Sequence, residues 1–184
     1  MDTKTPTVTV GNDMPPELFD EIDATLRSLG VNVKTDGPVP GRGLGRVIVV
    51  VAPKGGSGKT AISSNLAVAL AARNPGRVAV VDLDVQFGDL ALALSLDPQR
   101  TLAQLARGAE IDVTTTKVHL TSSPHKLFLL AGAADPVDAE SIRDEHVAVV
   151  LPLLAQSFDY VVVDTAAGLD ELTPVSYTHL TLPT

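Results

Sequence analysis

Four short, strongly apolar runs place the tightest limit on the fold of this 184-residue chain. They are rich in Val and Leu and lack alternating polar residues, which is typical of parallel strands that are buried on both faces. Stretches with helical character separate them, and right-handed crossovers through such helices would place the strands in one sheet. The predicted fold class is therefore α/β, a doubly wound parallel sheet in three α/β/α layers. The runs occupy residues 46–52, 77–84, 126–132 and 158–165.

Three of the intervening stretches have the pattern of helices. Residues 59–73 repeat apolar side chains at every third or fourth position, as an amphipathic helix does. Residues 101–108 predict a short helix that Thr101 opens with a capping box and that a glycine ends. A third helix is predicted over residues 139–157, and Pro152 should kink or divide it because proline has no N–H to donate.

The two ends of the chain differ in character from its centre. Residues 1–33 predict a small β-α-β unit, and residues 34–45 predict a linker rich in Gly and Pro. The main domain is expected to cover residues 46–174. The last ten residues, 175–184, back-translate into codons that look like the adapter of a sequencing-library kit. We therefore expect a non-native tail after about Pro174 and a domain that is truncated at its C-terminus.

Composition excludes several kinds of site. The chain has no cysteine, which excludes disulfides, iron–sulfur clusters and cysteine-based zinc sites, and its four histidines lack metal-ligand spacing. The net charge of -8 gives no general attraction to nucleic acid, so no nucleic acid partner is expected. The longest apolar runs are far shorter than the roughly 20 residues of a membrane-spanning helix, and the N-terminus has no secretion signal. We expect a cytoplasmic protein.

The segment APKGGSGKT, residues 52–60, lies between the first apolar run and the first predicted helix. Its glycines would let the backbone turn N–H groups inward toward a phosphate, and the helix adds its positive end. Lys59 would reach the β- and γ-phosphates of a nucleotide, and the Thr60 hydroxyl would bind Mg²⁺. A simple glycine turn with an incidental lysine is the structural alternative. The candidate nucleotide-binding residues are Lys54, Gly55, Gly56, Ser57, Gly58, Lys59, Thr60 and Ala61.

Three aspartates lie at the ends of two of the later apolar runs. Asp82 and Asp84 lie at the end of the second run, and Asp164 lies at the end of the fourth. Because open α/β sheets bind ligands outside the carboxyl ends of their strands, all three are expected to face the crevice that holds the glycine loop. Each aspartate alone could instead be a turn residue.

The glycine loop resembles the deviant Walker A loop, K-G-G-x-G-K-[ST], of the MinD/ParA family of P-loop NTPases, the SIMIBI class. Pro53 stands where the ordinary loop has its first glycine, and Lys54 follows it. The resemblance implies ATP and Mg²⁺ as cofactors and a homodimer that sandwiches ATP. It implies that Lys54 acts in catalysis by reaching the phosphates bound to the partner subunit, together with Lys59.

The same resemblance extends to the three aspartates. It implies that Asp84 is the catalytic residue that positions attacking water, and that Asp164 is the Walker B carboxylate. Thr60, Asp82 and Asp164 would be the metal-binding residues. The chain has DTAAG where the family commonly has D-T-P-P-G, a departure that could loosen this loop but removes no ligand.

A narrower resemblance concerns the segment VDLDVQFGD, residues 81–89, which is similar to the switch region of the CpaE/TadZ type of pilus-assembly ATPase. Gln86, Gly88 and Asp89 occupy matching positions, and residues 1–33 would then be the end of a receiver-like domain. This branch implies a slow, partner-stimulated ATPase that positions Flp or tight-adherence pilus machinery. Its partners would be pilus or secretion proteins, and its location polar or peripheral at the inner face of the membrane, with membrane contact through a segment beyond this chain.

Three other functions stay open. The first is a MinD/ParA-like regulator of septum placement with division proteins as partners, and the second is a DNA-partition ATPase. The third is a nucleotide-binding scaffold that does not hydrolyse ATP. In every case, a domain without its remaining strands is expected to be inactive or poorly soluble alone.

Overall fold

The computed structural model describes residues 45–52, 54–85 and 88–166, together with the backbone of two strands at residues 7–10 and 32–35. These ranges contain seven strands, all in one sheet, and six helices. The strands are β1 (Thr7–Val10), β2 (Asn32–Thr35), β3 (Arg46–Val51), β4 (Val78–Leu83), β5 (Thr121–Ser122), β6 (Phe128–Leu130) and β7 (Tyr160–Thr165). The helices are α1 (Lys59–Arg73), α2 (Leu90–Ala93), α3 (Leu102–Ala106), α4 (Val113–Val118), α5 (Pro136–Ala139) and α6 (Asp144–Ser157).

The order of strands in the sheet is β2-β1-β3-β7-β4-β6-β5. The four central strands, β3, β7, β4 and β6, are parallel, which confirms the predicted α/β class. The sheet is mixed at its flanks, because β1 pairs antiparallel with β3 and β5 pairs antiparallel with β6. The chain passes from β3 to β4 and returns later to insert β7 between them. This order brings the carboxyl ends of β3, β4 and β7 together at one edge.

Helices cover both faces of the central sheet. On one face, α1 packs its buried side chains, among them Ile62, Leu66 and Leu70, against apolar side chains of β3, β4 and β7. On the other face, α3 and α6 pack against the side chains that alternate with these along the same strands. The sheet is therefore the middle of three layers, and its central strands are buried on both sides, as their continuous apolar composition predicts.

One predicted helix was wrong in its extent. Residues 139–157 form the end of α5, an interruption at residues 140–143, and α6, which continues through Pro152. The interruption follows from Arg143, whose extended backbone precedes the first turn of α6. Pro152 is exposed, and the apolar side of α6 holds the helix on the sheet.

The smaller elements divide into predicted and unpredicted ones. The capping box of Thr101 and Gln104 at α3 is confirmed, since each side chain accepts from the other residue's backbone N–H. β5, α2, α4 and α5 were not predicted. Strands occur at both places predicted in the N-terminal unit, whereas its predicted helix, most of the linker and the tail lie outside the described residues. Across the part of the chain that the structure describes, no helix is long and apolar enough to cross a membrane.

Candidate functional site

The glycine loop leaves the start of α1 open to an anion. Gly56 and Gly58 have φ angles of 70° and 83°, in the left-handed region that glycine adopts without strain. Gly58 is the N-cap of α1, no side chain caps this helix, and its first turn holds no acidic residue. The first N–H groups of a helix have no partners within it, and the helix dipole favours negative charge there. The geometry of the loop and helix therefore fits a phosphate group.

Two lysines of the loop lie in different surroundings. Lys59 is only 6% exposed, and it lies close enough to Asp164 to lower the pKa of that carboxyl. Lys54 is exposed. The Ser57 Oγ atom is buried and has no hydrogen-bond partner within the described residues. A buried cation and an unsatisfied hydroxyl beside uncapped N–H groups are the features expected of a site built for an anionic ligand.

Asp164, at the end of β7, connects the sheet to α1. Its carboxylate accepts hydrogen bonds from Thr60 Oγ1 at 2.7 Å and from Ser63 Oγ at 2.8 Å. Burial raises the pKa of Asp164, against the lowering effects of these two hydroxyls and of Lys59. The next residue, Thr165, donates to the Val50 carbonyl at 2.8 Å and ties the end of β7 to the strand that enters the glycine loop.

Asp82 lies beside Asp164, because the two are register partners on the parallel strands β4 and β7. Asp82 is 4% exposed, and its carboxylate accepts from the backbone N–H groups of Asp84 at 3.1 Å and Leu90 at 3.3 Å. Burial, followed by the nearby negative charge of Asp164, raises the pKa of Asp82 to about 7. A cation bound by Asp164 would offset the negative charge that Asp82 faces.

Asp84 is partly exposed and lies beside a cavity of about 270 Å³ at the carboxyl ends of β4 and β6. Gly88 lines the same cavity and lies directly over the Asp82 carboxylate. A Cβ atom at Gly88 would lie 2.4 Å from Asp82 Oδ2 and 2.7 Å from the Asp84 carbonyl oxygen. Only glycine fits this close approach.

The residues present fit a magnesium nucleotide. Within the described ranges, no three His, Cys, Asp or Glu side chains form a metal-binding group. Mg²⁺ does not require one, because it is commonly held by one or two carboxylates together with a hydroxyl, waters and the phosphates of its nucleotide. Thr60 and Asp164 would hold the ion, with their oxygens 2.7 Å apart. Lys59 and the loop N–H groups would hold the phosphates.

The structure brings most of the predicted site residues together and adds one more. Residues 54–61 form the loop and the start of α1, and Asp82 and Asp164 lie side by side below it. Ser63 was not predicted. It lies one helical turn beyond Thr60, and this spacing places the two hydroxyls on one face of α1. That spacing was the signal that could have identified it.

Residues 45–179 match the AAA_31 family, described as an AAA domain. The chain belongs to the AAA_31 family. This AAA_31 domain is similar to the septum site-determining protein MinD of Bacillus subtilis strain 168, with 33% identity over 134 residues, 70% of this chain and 47% of that protein. MinD of Thermotoga maritima is 31% identical over 132 residues, 69% of this chain and 46% of that protein. The chain thus spans about half the length of these relatives.

Solved structures give the same result for the AAA_31 domain. A ParA family ATPase from Chlorobium tepidum TLS has a TM-score of 0.65 and 28% identity, covering 72% of this chain and 56% of that one. MinD from Pyrococcus horikoshii OT3, complexed with Mg-ADP, has a TM-score of 0.62 and 27% identity, covering 71% and 52%. The predicted resemblance is confirmed: the AAA_31 domain is a MinD/ParA-type P-loop NTPase. Its place in the CpaE/TadZ branch stays a prediction.

Proposed function

We propose that this chain carries the phosphate-binding and hydrolytic residues of an ATP-driven dimerisation switch of the MinD/ParA type. The observation that carries the proposal is the uncapped glycine loop at α1, flanked by the buried Lys59 and by the Thr60–Asp164 hydrogen bond. A structural turn does not require a buried lysine or an unsatisfied serine hydroxyl. A bound phosphate would give Ser57 a hydrogen-bond acceptor and would add to the negative charge that Asp164 presents to Lys59.

Each residue has a defined task in this proposal. The loop N–H groups and Lys59 hold the nucleotide phosphates, and Thr60 and Asp164 hold Mg²⁺. When bound, Mg-ATP supplies the phosphoanhydride bond that is cleaved and the cation that offsets its charge. Asp84, partly exposed beside the cavity, orients the attacking water. Lys54, which is exposed, meets the phosphates bound to a second copy of the chain.

Among cellular roles, spatial regulation of septum placement has the most support. The curated relatives described above carry the name septum site-determining protein. The ParA family neighbour supports the general class of positioning ATPase. Positioning of pilus machinery was the leading prediction from the sequence, and the relatives described above support septum placement better. We propose a cytoplasmic protein that reaches a pole or the membrane periphery through its partners.

The first experiment tests nucleotide binding by the full chain. We expect Mg-ATP binding in isothermal titration calorimetry and an about 100-fold weaker affinity for Lys59→Ala, which removes a charge-assisted contact from a buried site. Lys117→Ala is the matched control, because Lys117 is an exposed lysine on α4. Equal affinity in the Lys59 and Lys117 variants would show that the loop is a structural turn.

The second experiment separates the dimerisation switch from a nucleotide scaffold. Phosphate release measures hydrolysis, and sedimentation velocity with and without Mg-ATP measures dimerisation. We expect Lys54→Ala to lose the ATP-dependent dimer while its affinity for Mg-ATP changes by less than about threefold, since its contact is made across subunits. A scaffold would bind Mg-ATP and release no phosphate. Dimerisation unchanged by Lys54→Ala would contradict the role across subunits.

A further inference from the structure

We call residues 84–90, which connect β4 to α2, the switch loop. Residues 86 and 87 of this loop lie outside the described residues. Asp82, a buried residue near the end of β4, contacts both ends of this loop through its carboxylate. Its Oδ1 atom accepts from the Asp84 N–H at 3.1 Å, and its Oδ2 atom accepts from the Leu90 N–H at 3.3 Å. One carboxylate therefore joins the start and the end of the loop.

Leu90 is the first residue of α2, and an N–H in that position has no acceptor within its own helix. Asp89 is the N-cap residue of α2, but its side chain makes no capping hydrogen bond. The Asp82 carboxylate, which lies on β4, caps the helix in its place by accepting from the Leu90 N–H. The Leu90 side chain is fully buried in the core. The far end of the loop is thus fixed by a hydrogen bond and by the burial of the Leu90 side chain.

The middle of the switch loop is also in contact with Asp82. A Cβ atom at Gly88 would lie 2.4 Å from Asp82 Oδ2 and 2.8 Å from Asp82 Cγ. The backbone at Gly88 therefore lies directly on the carboxylate. Any larger residue at position 88 would push the loop away from it.

We infer that Asp82 is a positioning residue that anchors the switch loop and so determines where Asp84 lies relative to the nucleotide site. This role differs from that of a metal ligand. The oxygens of Asp82 accept from backbone N–H groups, whereas the oxygens of its neighbour Asp164 accept from the hydroxyls of Thr60 and Ser63. The two adjacent carboxylates have different partners: Asp164 contacts the hydroxyls of α1 and would hold a cation there, and Asp82 holds the switch loop.

The catalytic part of this inference rests on the proposed function, and the anchoring part does not. The anchor is tested without nucleotide, by hydrogen exchange of the wild-type chain followed by NMR. We expect the Leu90 N–H to exchange at least about tenfold more slowly than an unprotected amide, because one hydrogen bond to a carboxylate has this effect. Rapid exchange of the Leu90 N–H in the folded wild type would overturn the inference without any variant.

Variants test the consequence for hydrolysis. Asp82→Asn keeps the shape of the side chain, but the amide nitrogen that replaces one carboxylate oxygen cannot accept a hydrogen bond. At least one of the Asp84 and Leu90 N–H groups therefore loses its acceptor. We expect at least about tenfold faster exchange at Leu90 or Asp84, at least about tenfold lower kcat, and affinity for Mg-ATP within about threefold of wild type. Gly88→Ala should change exchange and kcat in the same direction by displacing the loop.

Asp89→Asn is the matched control. It removes the same charge from an exposed position in the same loop and should leave exchange at Leu90 and kcat unchanged. Equal effects of Asp82→Asn and Asp89→Asn, or an Asp82→Asn loss confined to Mg-ATP affinity, would contradict the anchoring role. If the wild type binds no Mg-ATP, the proposed function fails. Exchange of the Leu90 N–H still decides whether Asp82 anchors the switch loop, because it is measured without nucleotide.

Discussion

The sharpest stability prediction concerns two adjacent serines of α1. Ser63 is fully buried and donates to the Asp164 carboxylate at 2.8 Å, whereas Ser64 is 6% exposed and donates at 3.2 Å to the Ala61 carbonyl of its own helix. Ser63→Ala leaves a buried carboxylate oxygen without a donor, which costs about 2 kcal/mol. Ser64→Ala loses a weak local bond and gains helix propensity, so its effect should stay within about 0.5 kcal/mol.

Urea unfolding at pH 8, followed by circular dichroism, measures this difference. About 2 kcal/mol corresponds to a loss of roughly 4–8 °C in Tm for a chain of this size. The Ser63 hydroxyl lowers the pKa of Asp164, so its contribution is present at high pH and shrinks as the pH falls through the raised pKa of that carboxyl. The role assigned to Ser63 is refuted if the two variants unfold at the same urea concentration. It is also refuted if the loss of unfolding free energy in Ser63→Ala grows on acidification.

Two further predictions concern pH and chain packing. Because the pKa of Asp82 is raised to about 7, its contribution to stability is present below its ordinary pKa of 3.8 and is lost as the pH rises through about 7. The free energy of unfolding without Mg²⁺ should therefore fall between pH 5 and pH 8, by about 3 kcal/mol from Asp82, and the raised pKa of Asp164 acts in the same direction. Stability that is level or rising across this window in urea titrations, or the same slope in Asp82→Asn, would contradict this. Gly45→Ala should prevent stable folding, because its Cβ would lie 1.7 Å from the Phe158 carbonyl oxygen, and the yield of soluble protein together with its Tm tests this.

The fold was predictable where the signal is local. Continuous apolar composition identifies β3, β4, β6 and β7, and the capping box identifies α3, since both depend on residues close together in the chain. Two missed helices carried local signals of the same kind. Asp112 and Thr115 form a capping box at α4, and Asp135 followed by a proline opens α5. The break at residues 140–143 was not predicted, and α6 is not divided at Pro152 because packing on the sheet overrides the local effect of one exposed proline.

The sequence by itself determined the position of the glycine loop, the α/β class and the identity of the carboxylates near the site. These follow from glycine conformation, apolar runs and residue type, all of which act over a few neighbouring residues. Only the tertiary structure decided that Asp82 and Asp164 lie side by side, that Lys59 is buried while Lys54 is exposed, and that Gly88 lies on the Asp82 carboxylate. The physical reason is the insertion of β7 between β3 and β4. This strand order pairs residues that are far apart in the chain. Burial and the nearby charges then determine the pKa of each carboxyl group and the hydrogen-bond partners that it can reach.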